Sequence, residues 1–111
     1  MNKNKIEIYT GPNCSFCILA KNLLIKKSIN FKEIHLSKFP EKREEMLKRS
    51  NGKHTIPQIF INNKHIGGYY ELNKLEITGE LNKILKLFRI VKNKNNKILI
   101  FGNGGSAAIA N

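Results

Sequence analysis

Apolar and polar residues alternate over Ile6-Glu7-Ile8-Tyr9-Thr10, the period-2 pattern of a half-buried strand. Gly11-Pro12-Asn13 interrupts the run as a turn. The period then changes. Phe16, Ala20, Leu23 and Leu24 recur at helical spacing, and the aliphatic stem of Lys27 is placed to finish the stripe. Alternation returns over residues 30–36, which predicts a second strand. Strand, helix and strand form a βαβ unit, for which parallel pairing is expected.

Pro40 opens a polar helix over Glu41 to Arg49, with Met46 and Leu47 as its inward residues. Ser50-Asn51-Gly52 stops it, since Asn51 or Gly52 accepts the left-handed C-terminal conformation. Two short strands, Pro57 to Ile61 and Lys64 to Gly67, flank Asn62-Asn63, a pair tolerant of positive φ and suited to a tight hairpin. A short helix from Tyr70 to Ile77 presents Leu72, Leu75 and Ile77, and Thr78-Gly79 breaks it. From Glu80 onward Leu81, Ile84, Leu85 and Phe88 stand at i, i+3, i+4 and i+7 of an amphipathic helix. The order β-α-β-α-β-β-α plus a final helix predicts an α/β protein with a four-stranded mixed sheet flanked by helices. That arrangement is similar to the thioredoxin-like fold.

With 111 residues and 41% hydrophobic content, the chain has material for one small core. Residues 1–88 carry the fold, and 89–111 read as a basic linker followed by a truncated strand and a Gly-rich loop, not expected to be an independent domain. Beyond Glu80 the charged residues are all basic, and Lys92-Asn93-Lys94-Asn95-Asn96 reads as a solvated linker. Lys97 to Phe101 then has the pattern of a buried strand. With no sheet of its own, the stretch 92–111 is expected to pack loosely or stay disordered.

Net charge is +12, which raises nucleic acid as a partner. The positive charge is nearly all Lys, dispersed beside abundant Asn and Ile, without an Arg-rich run or interleaved aromatic platform, so no nucleic-acid partner is expected. No stretch approaches the roughly 20 apolar residues of a membrane span, and the basic N-terminus leads into too short an apolar run for a signal peptide. Two cysteines alone cannot make a disulfide framework, which suits a reducing cytoplasm.

Those cysteines carry the chemistry. Cys14-Ser15-Phe16-Cys17 opens the first helix, where the unpaired N–H groups of the first turn favour a thiolate at Cys14 over a free thiol of pKa about 8.5. Cys17, one turn further in, is expected to be less exposed. Cys14 would attack a disulfide, and Cys17 or an outside thiol would release the mixed disulfide. A structural pair of cysteines and half of a zinc site are the competing readings. His35, His54 and His65 lack ligand spacing, so no metal site is expected, and Ile18 stands where haem attachment would require His.

The chain resembles the glutaredoxins, specifically the bacterial dithiol type called glutaredoxin 3, over roughly residues 5 to 88. The likeness rests on Tyr9-Thr10, Cys14-Ser15-Phe16-Cys17, Ala20-Lys21, the run Lys42 to Leu47, Thr55-Ile56-Pro57-Gln58-Ile59-Phe60-Ile61 and His65-Ile66-Gly67-Gly68. It implies a glutathione-dependent thiol–disulfide oxidoreductase, monomeric and cytoplasmic, that reduces protein disulfides and glutathione mixed disulfides through a Cys14–Cys17 redox disulfide. Pro57 would be a cis-proline beside the cysteines, and the backbone of Ile56, next to Thr55, would pair with the cysteinyl part of glutathione. Gly68 and the N–H groups of Tyr69 and Tyr70 would hold the γ-glutamyl carboxylate. The family usually has Asp or Ser where Tyr70 stands. Tyr70 is a poor N-cap, so Glu71 is left as the charged partner of the ammonium. Where Gly11 stands many members carry Lys, whose role Lys53, His54 or Lys21 would take in part.

Ser15 replaces a common proline, and some glutaredoxins with Ser there hold a [2Fe–2S] cluster between two subunits. A cluster carrier is therefore one alternative, and a glutathione-independent thioredoxin-like reductase is another. The stretch from Ile98 to Ala108 resembles the opening strand and loop of a sugar-phosphate isomerase domain of the sedoheptulose 7-phosphate isomerase type, without the rest of such a domain. It reads as a truncated fusion or a gene-boundary artefact rather than coincidence.

Overall fold

A computed structural model of the chain describes residues 4–86, together with the backbone of strands 88–92 and 98–102. Strand β1 (Ile6–Thr10) leads into helix α1 (Ser15–Lys26), and β2 (Lys32–His35) precedes α2 (Lys42–Arg49). The hairpin β3 (Gln58–Ile61) and β4 (Lys64–Gly67) follows, then α3 (Tyr69–Thr78) and α4 (Glu80–Leu85). The sheet order is β2-β1-β3-β4. β1 runs parallel to β2 with Ile8 opposite Glu33, and antiparallel to β3 with Ile8 opposite Ile59. The expected mixed four-stranded sheet is present, and helix-mediated return explains its one parallel pair.

The hairpin turn is as its residues dictate. Asn62 and Asn63 take φ of 51° and 69°, the left-handed pair that matches the twist of the flanking strands. Asn51 and Gly52, at 60° and 89°, both turn left-handed after α2.

The sheet carries a core on each face. Ile6 and Ile8 of β1 and Ile59 and Ile61 of β3 join Ala20, Leu24, Leu72, Leu81 and Leu85 on the side of α1, α3 and α4. The alternate residues Tyr9 and Phe60 join Ile34, Leu36 and Met46 on the side of α2. Each fully buried aliphatic side chain contributes about 1.5–3 kcal/mol.

Two-sided coverage corrects the expectation of a half-buried β1: all five of its residues are buried. Its polar residues are tolerated because each has a partner. Arg49 Nη2 donates to Glu7 Oε1 at 2.7 Å, Arg49 Nη1 donates to the Tyr9 hydroxyl at 2.8 Å, and that hydroxyl donates to Glu45 Oε2. The Thr10 hydroxyl donates to Glu33 Oε2 at 2.7 Å. Burial, then the Glu45 carboxylate, pushes the Tyr9 phenol up to about 12.

Lys27 differs from its expected role too. Its whole side chain is buried, not its stem alone, and Nζ meets Glu76 Oε1 and Asn82 Oδ1, each at 2.8 Å. A buried ammonium requires such partners. In α1 the inward residues are Cys17, Ala20 and Leu24, whereas Phe16 is exposed and turns away from the core.

The C-terminal helix is shorter than its apolar spacing suggests. α4 ends at Leu85, where Lys86 takes φ 55°, and Phe88 lies in a strand instead of on the helix. Strand β5 (Phe88–Lys92) pairs antiparallel with β6 (Ile98–Gly102), with Ile90 opposite Ile100. The strand predicted without a sheet thus has a partner, because the backbone before the Asn-rich stretch is extended and supplies its hydrogen bonds. The Gly-rich loop at 103–106 lies outside the described residues.

Candidate active site

The β1–α1 turn places the cysteines. Asn13 takes φ 52° and Cys14 is extended at φ −121°, which makes Cys14 the N-cap of α1. Its Sγ accepts the backbone N–H of Cys17 at 3.1 Å, the bond that a capping oxygen would normally take. Cys14 is half-buried and Cys17 is buried, as the spacing predicts. The two sulfurs lie close to disulfide distance, with Cα atoms 5.2 Å apart. A sulfur that faces a helix N-terminus and receives an N–H is favoured as a thiolate once reduced.

The loop before β3 closes one side of this pair. The Ile56–Pro57 peptide is cis, and the Ile56 carbonyl oxygen is 3.8 Å from Cys14 Sγ, where a Cys14 thiol can donate. Pro57 is buried, Ile56 half-buried and Thr55 exposed. Gly11 lies beneath this loop, and a Cβ there would stand 2.7 Å from Ile56 Cδ1.

An open groove of about 500 Å³ runs along Thr55, Ile56 and Pro57 to the start of α3, where Gly68, Tyr69, Tyr70 and Glu71 line it, and Cys14 stands beside it against Ile56. Thr55, Ile56, Pro57, Gly68, Tyr69, Tyr70 and Glu71, all expected at the site, thus line one groove, and the cysteine pair adjoins it at Ile56. Gly67 makes the corner, with φ 122°, a conformation other residues avoid. Gly68 is the N-cap of α3, and its N–H donates to Glu71 Oε1 at 2.8 Å. Glu71 thus caps the helix, and the Gly68 N–H expected to meet an anion is already engaged. The Tyr69 and Tyr70 N–H groups belong to the first turn, which has no intrahelical acceptors for them.

The basic candidates separate. Lys53 lines the groove, whereas Lys21 is paired with Glu33 at 2.9 Å and His54 is exposed outside the lining. Burial works against the Glu33 carboxylate, but the Thr10 hydroxyl and Lys21 hold it below the usual range. Among the described residues no group of three or more His, Cys, Asp and Glu comes together to hold a metal ion.

Some participants were not assigned from sequence. Phe16 lines the groove and stacks on Tyr69 with centroids 6.2 Å apart, while Tyr70 lies 5.3 Å from it. Its helical spacing marked it as core. Gln58 and His65 also line the groove, joined by a 2.6 Å hydrogen bond between Oε1 and Nε2. Only the hairpin register, which sets Phe60 opposite His65, brings them near each other.

A vicinal cysteine pair at a helix N-terminus, with an open backbone edge beside it, is the equipment of thiol–disulfide exchange. The comparisons with known proteins agree. Residues 6–66 match the Glutaredoxin family model. The chain is 48% identical over 99 residues to glutaredoxin 1 of Rickettsia typhi, covering 86% of this chain and 93% of that protein. It is 47% identical over 81 residues to glutaredoxin 3 of Escherichia coli K12, covering 73% and 96%. The solution structure of a Brucella melitensis glutaredoxin superposes with a TM-score of 0.64 at 46% identity, over 74% of this chain and 88% of the other. The chain belongs to the glutaredoxin family and is a thiol–disulfide oxidoreductase, of a family that uses glutathione as co-substrate.

Proposed function

We propose that Cys14 is the nucleophile and that glutathione both donates the electrons and fills the groove. The observation that carries this reading is the placement of the groove: it passes Ile56, whose carbonyl oxygen faces Cys14 Sγ, and ends at the N-terminus of α3. The Cys14 thiolate attacks the glutathionyl sulfur of a mixed disulfide, and the expelled thiolate takes a proton from solvent. A second glutathione thiolate then attacks that same sulfur, releasing oxidised glutathione and the Cys14 thiolate. With a protein disulfide, the Cys17 thiolate attacks Cys14 in the mixed disulfide, frees the reduced substrate and leaves Cys14–Cys17 oxidised. Two glutathiones reduce that pair.

In this reading the cysteinyl backbone of glutathione pairs with the Ile56 N–H and C=O, as an added strand does. Thr55 and Pro57 shape the groove, and Lys53 takes the glycyl carboxylate. The γ-glutamyl carboxylate faces the Tyr69 and Tyr70 N–H groups. Glu71, with Oε1 given to the Gly68 N–H, offers its other oxygen to the ammonium. The catalytic unit is assigned to residues 1–88, a monomer working in a reducing cytoplasm.

Neither relative separates the glutaredoxin 1 and 3 subtypes, since the identities are 48% and 47%. Nothing in the comparisons supports the isomerase likeness of the stretch 97–111, and no observation favours the [2Fe–2S] carrier.

The test is turnover of a glutathionylated substrate in a glutathione-coupled assay. Wild type and Cys17→Ser are expected to turn over, and Cys14→Ser is expected to be inactive. Activity of Cys14→Ser, or reduction of protein disulfides with no dependence on glutathione, would overturn the proposal.

A further inference from the structure

The segment carrying Thr55 and Ile56 belongs to no strand or helix, so partners outside a regular ladder must hold its backbone. Gln58, buried at the start of β3, reaches back to supply them. Its Nε2 donates to the Thr55 carbonyl at 3.0 Å and to the Thr55 hydroxyl at 3.1 Å. Both amide hydrogens are thereby used, and the amide oxygen faces His65 Nε2 at 2.6 Å. An amide oxygen only accepts, so the hydrogen lies on His65 Nε2.

His65 is itself held in place. Its ring packs on Phe60 with centroids 5.0 Å apart, and the Arg49 guanidinium lies 4.1 Å from the centroid of that same phenyl ring. The β3–β4 register shifts between Ile59 and Phe60, so that Ile66 is the extra residue of a bulge. Bulges of this kind re-aim neighbouring side chains. Burial, then the nearby Lys53 charge, lowers the His65 pKa and so favours the neutral imidazole. The neutral ring is therefore the Nε2–H tautomer.

We propose that His65 is a positioning residue for the substrate: through the Gln58 amide it holds Thr55, and with it the Ile56 N–H and C=O, at the placement an extended glutathionyl chain requires. The inference rests on glutathione occupying the groove, and it assigns His65 to binding, not to the reactivity of Cys14. The sulfur has its own donor in the Cys17 N–H.

His65→Phe retains a ring to pack on Phe60 and lacks the donor, whereas His65→Gln restores an N–H at nearly the same reach. The expected result for His65→Phe is a KM for a glutathionylated peptide raised about three- to tenfold, the range one hydrogen bond commands. Its kcat and the alkylation rate of reduced Cys14 should stay within about twofold of wild type, and His65→Gln should recover most of the KM. An unchanged KM, a fall in Cys14 alkylation parallel to the KM change, or equal loss in both variants would overturn the proposal. Nitrogen-15 NMR of the wild type decides the matter even where a variant does not fold: a His65 Nδ1–H tautomer would refute the relay. Wild-type turnover in the same assay separates the two readings. An active wild type with a silent His65→Phe removes only the role of His65, and an inactive wild type removes both.

Discussion

Replacing Arg49 with Met tests the ionic network between α2 and the sheet. The guanidinium donates to Glu7 at 2.7 Å and to Tyr9 at 2.8 Å, and it covers the Phe60 ring at 4.1 Å. The Glu7 side chain is 8% exposed and that of Arg49 22%. Methionine fills much of the same volume but leaves the Glu7 carboxylate without its cation. Stranding one member of a buried pair costs about 3–5 kcal/mol, and the partial exposure of Arg49 places this case at the lower end, ~3 kcal/mol. For a domain of this size that lowers Tm by roughly 12–24 °C. Adding Glu7→Gln removes the unpaired charge and should recover about half of the loss, since a neutral amide costs much less to bury. Urea denaturation at pH 7 measures both, with the midpoint shifting at constant m-value. A loss below about 1 kcal/mol for Arg49→Met, or a double variant no more stable than the single, would refute the argument that charge burial dominates here.

Stability should decline at both ends of the pH scale. The Tyr9 phenol is raised to about 12, so its contribution is intact below about pH 10 and is lost as pH rises toward 12, a drop of roughly 2–3 kcal/mol that Tyr9→Phe abolishes in alkaline melts. The Tyr9 hydroxyl holds the Glu45 carboxyl below its usual range, and Thr10 and Lys21 do the same for Glu33 against burial. Their contributions are present above the ordinary carboxylate pKa and are lost as pH falls through the lowered values, which acid titration of Glu45→Gln and Glu33→Gln would reveal as a shallower decline. Gly67→Ala meets φ 122° and a Cβ 2.9 Å from Glu71 Cγ; it should cost about 1–3 kcal/mol and dislodge the α3 cap, seen as a lower Tm with a higher KM for the glutathionylated substrate. Gly11→Lys drives its Cβ into Ile56 Cδ1, and Ile56→Val removes that carbon. The double variant should therefore be more active than Gly11→Lys alone, and equal activities would show that Ile56 yields freely.

Much of the fold was legible because it rests on neighbours in sequence. Alternation marked β1 and β2, Asn62-Asn63 marked the hairpin, and the cysteine spacing with its helix start marked the redox pair. Other features were silent. Phe88 continued a helical spacing, yet the chain had already turned at Lys86 into a strand with a partner ten residues away (Ile90 opposite Ile100). Phe16 looked like core because spacing does not say which face of a helix meets the groove. Only the stem of Lys27 was expected on the apolar stripe, because nothing local announces Glu76 and Asn82 as partners for its ammonium.

By itself, then, the sequence determined the elements from β1 to the start of α4 and which sulfur begins the helix, since φ preferences, side-chain periods of two and three to four, and cap chemistry act within a few residues. Tertiary structure decided the rest. Covering the second face of β1 with α2 turned Glu7 and Tyr9 from solvent-facing positions into members of a buried network, and pairing β3 with β4 set His65 against Gln58. Folding set Cys14 against Ile56 and joined Ile56 to the N-terminus of α3 along one groove. These contacts join residues tens of positions apart, and no short-range pattern records them because the packing of whole elements creates them.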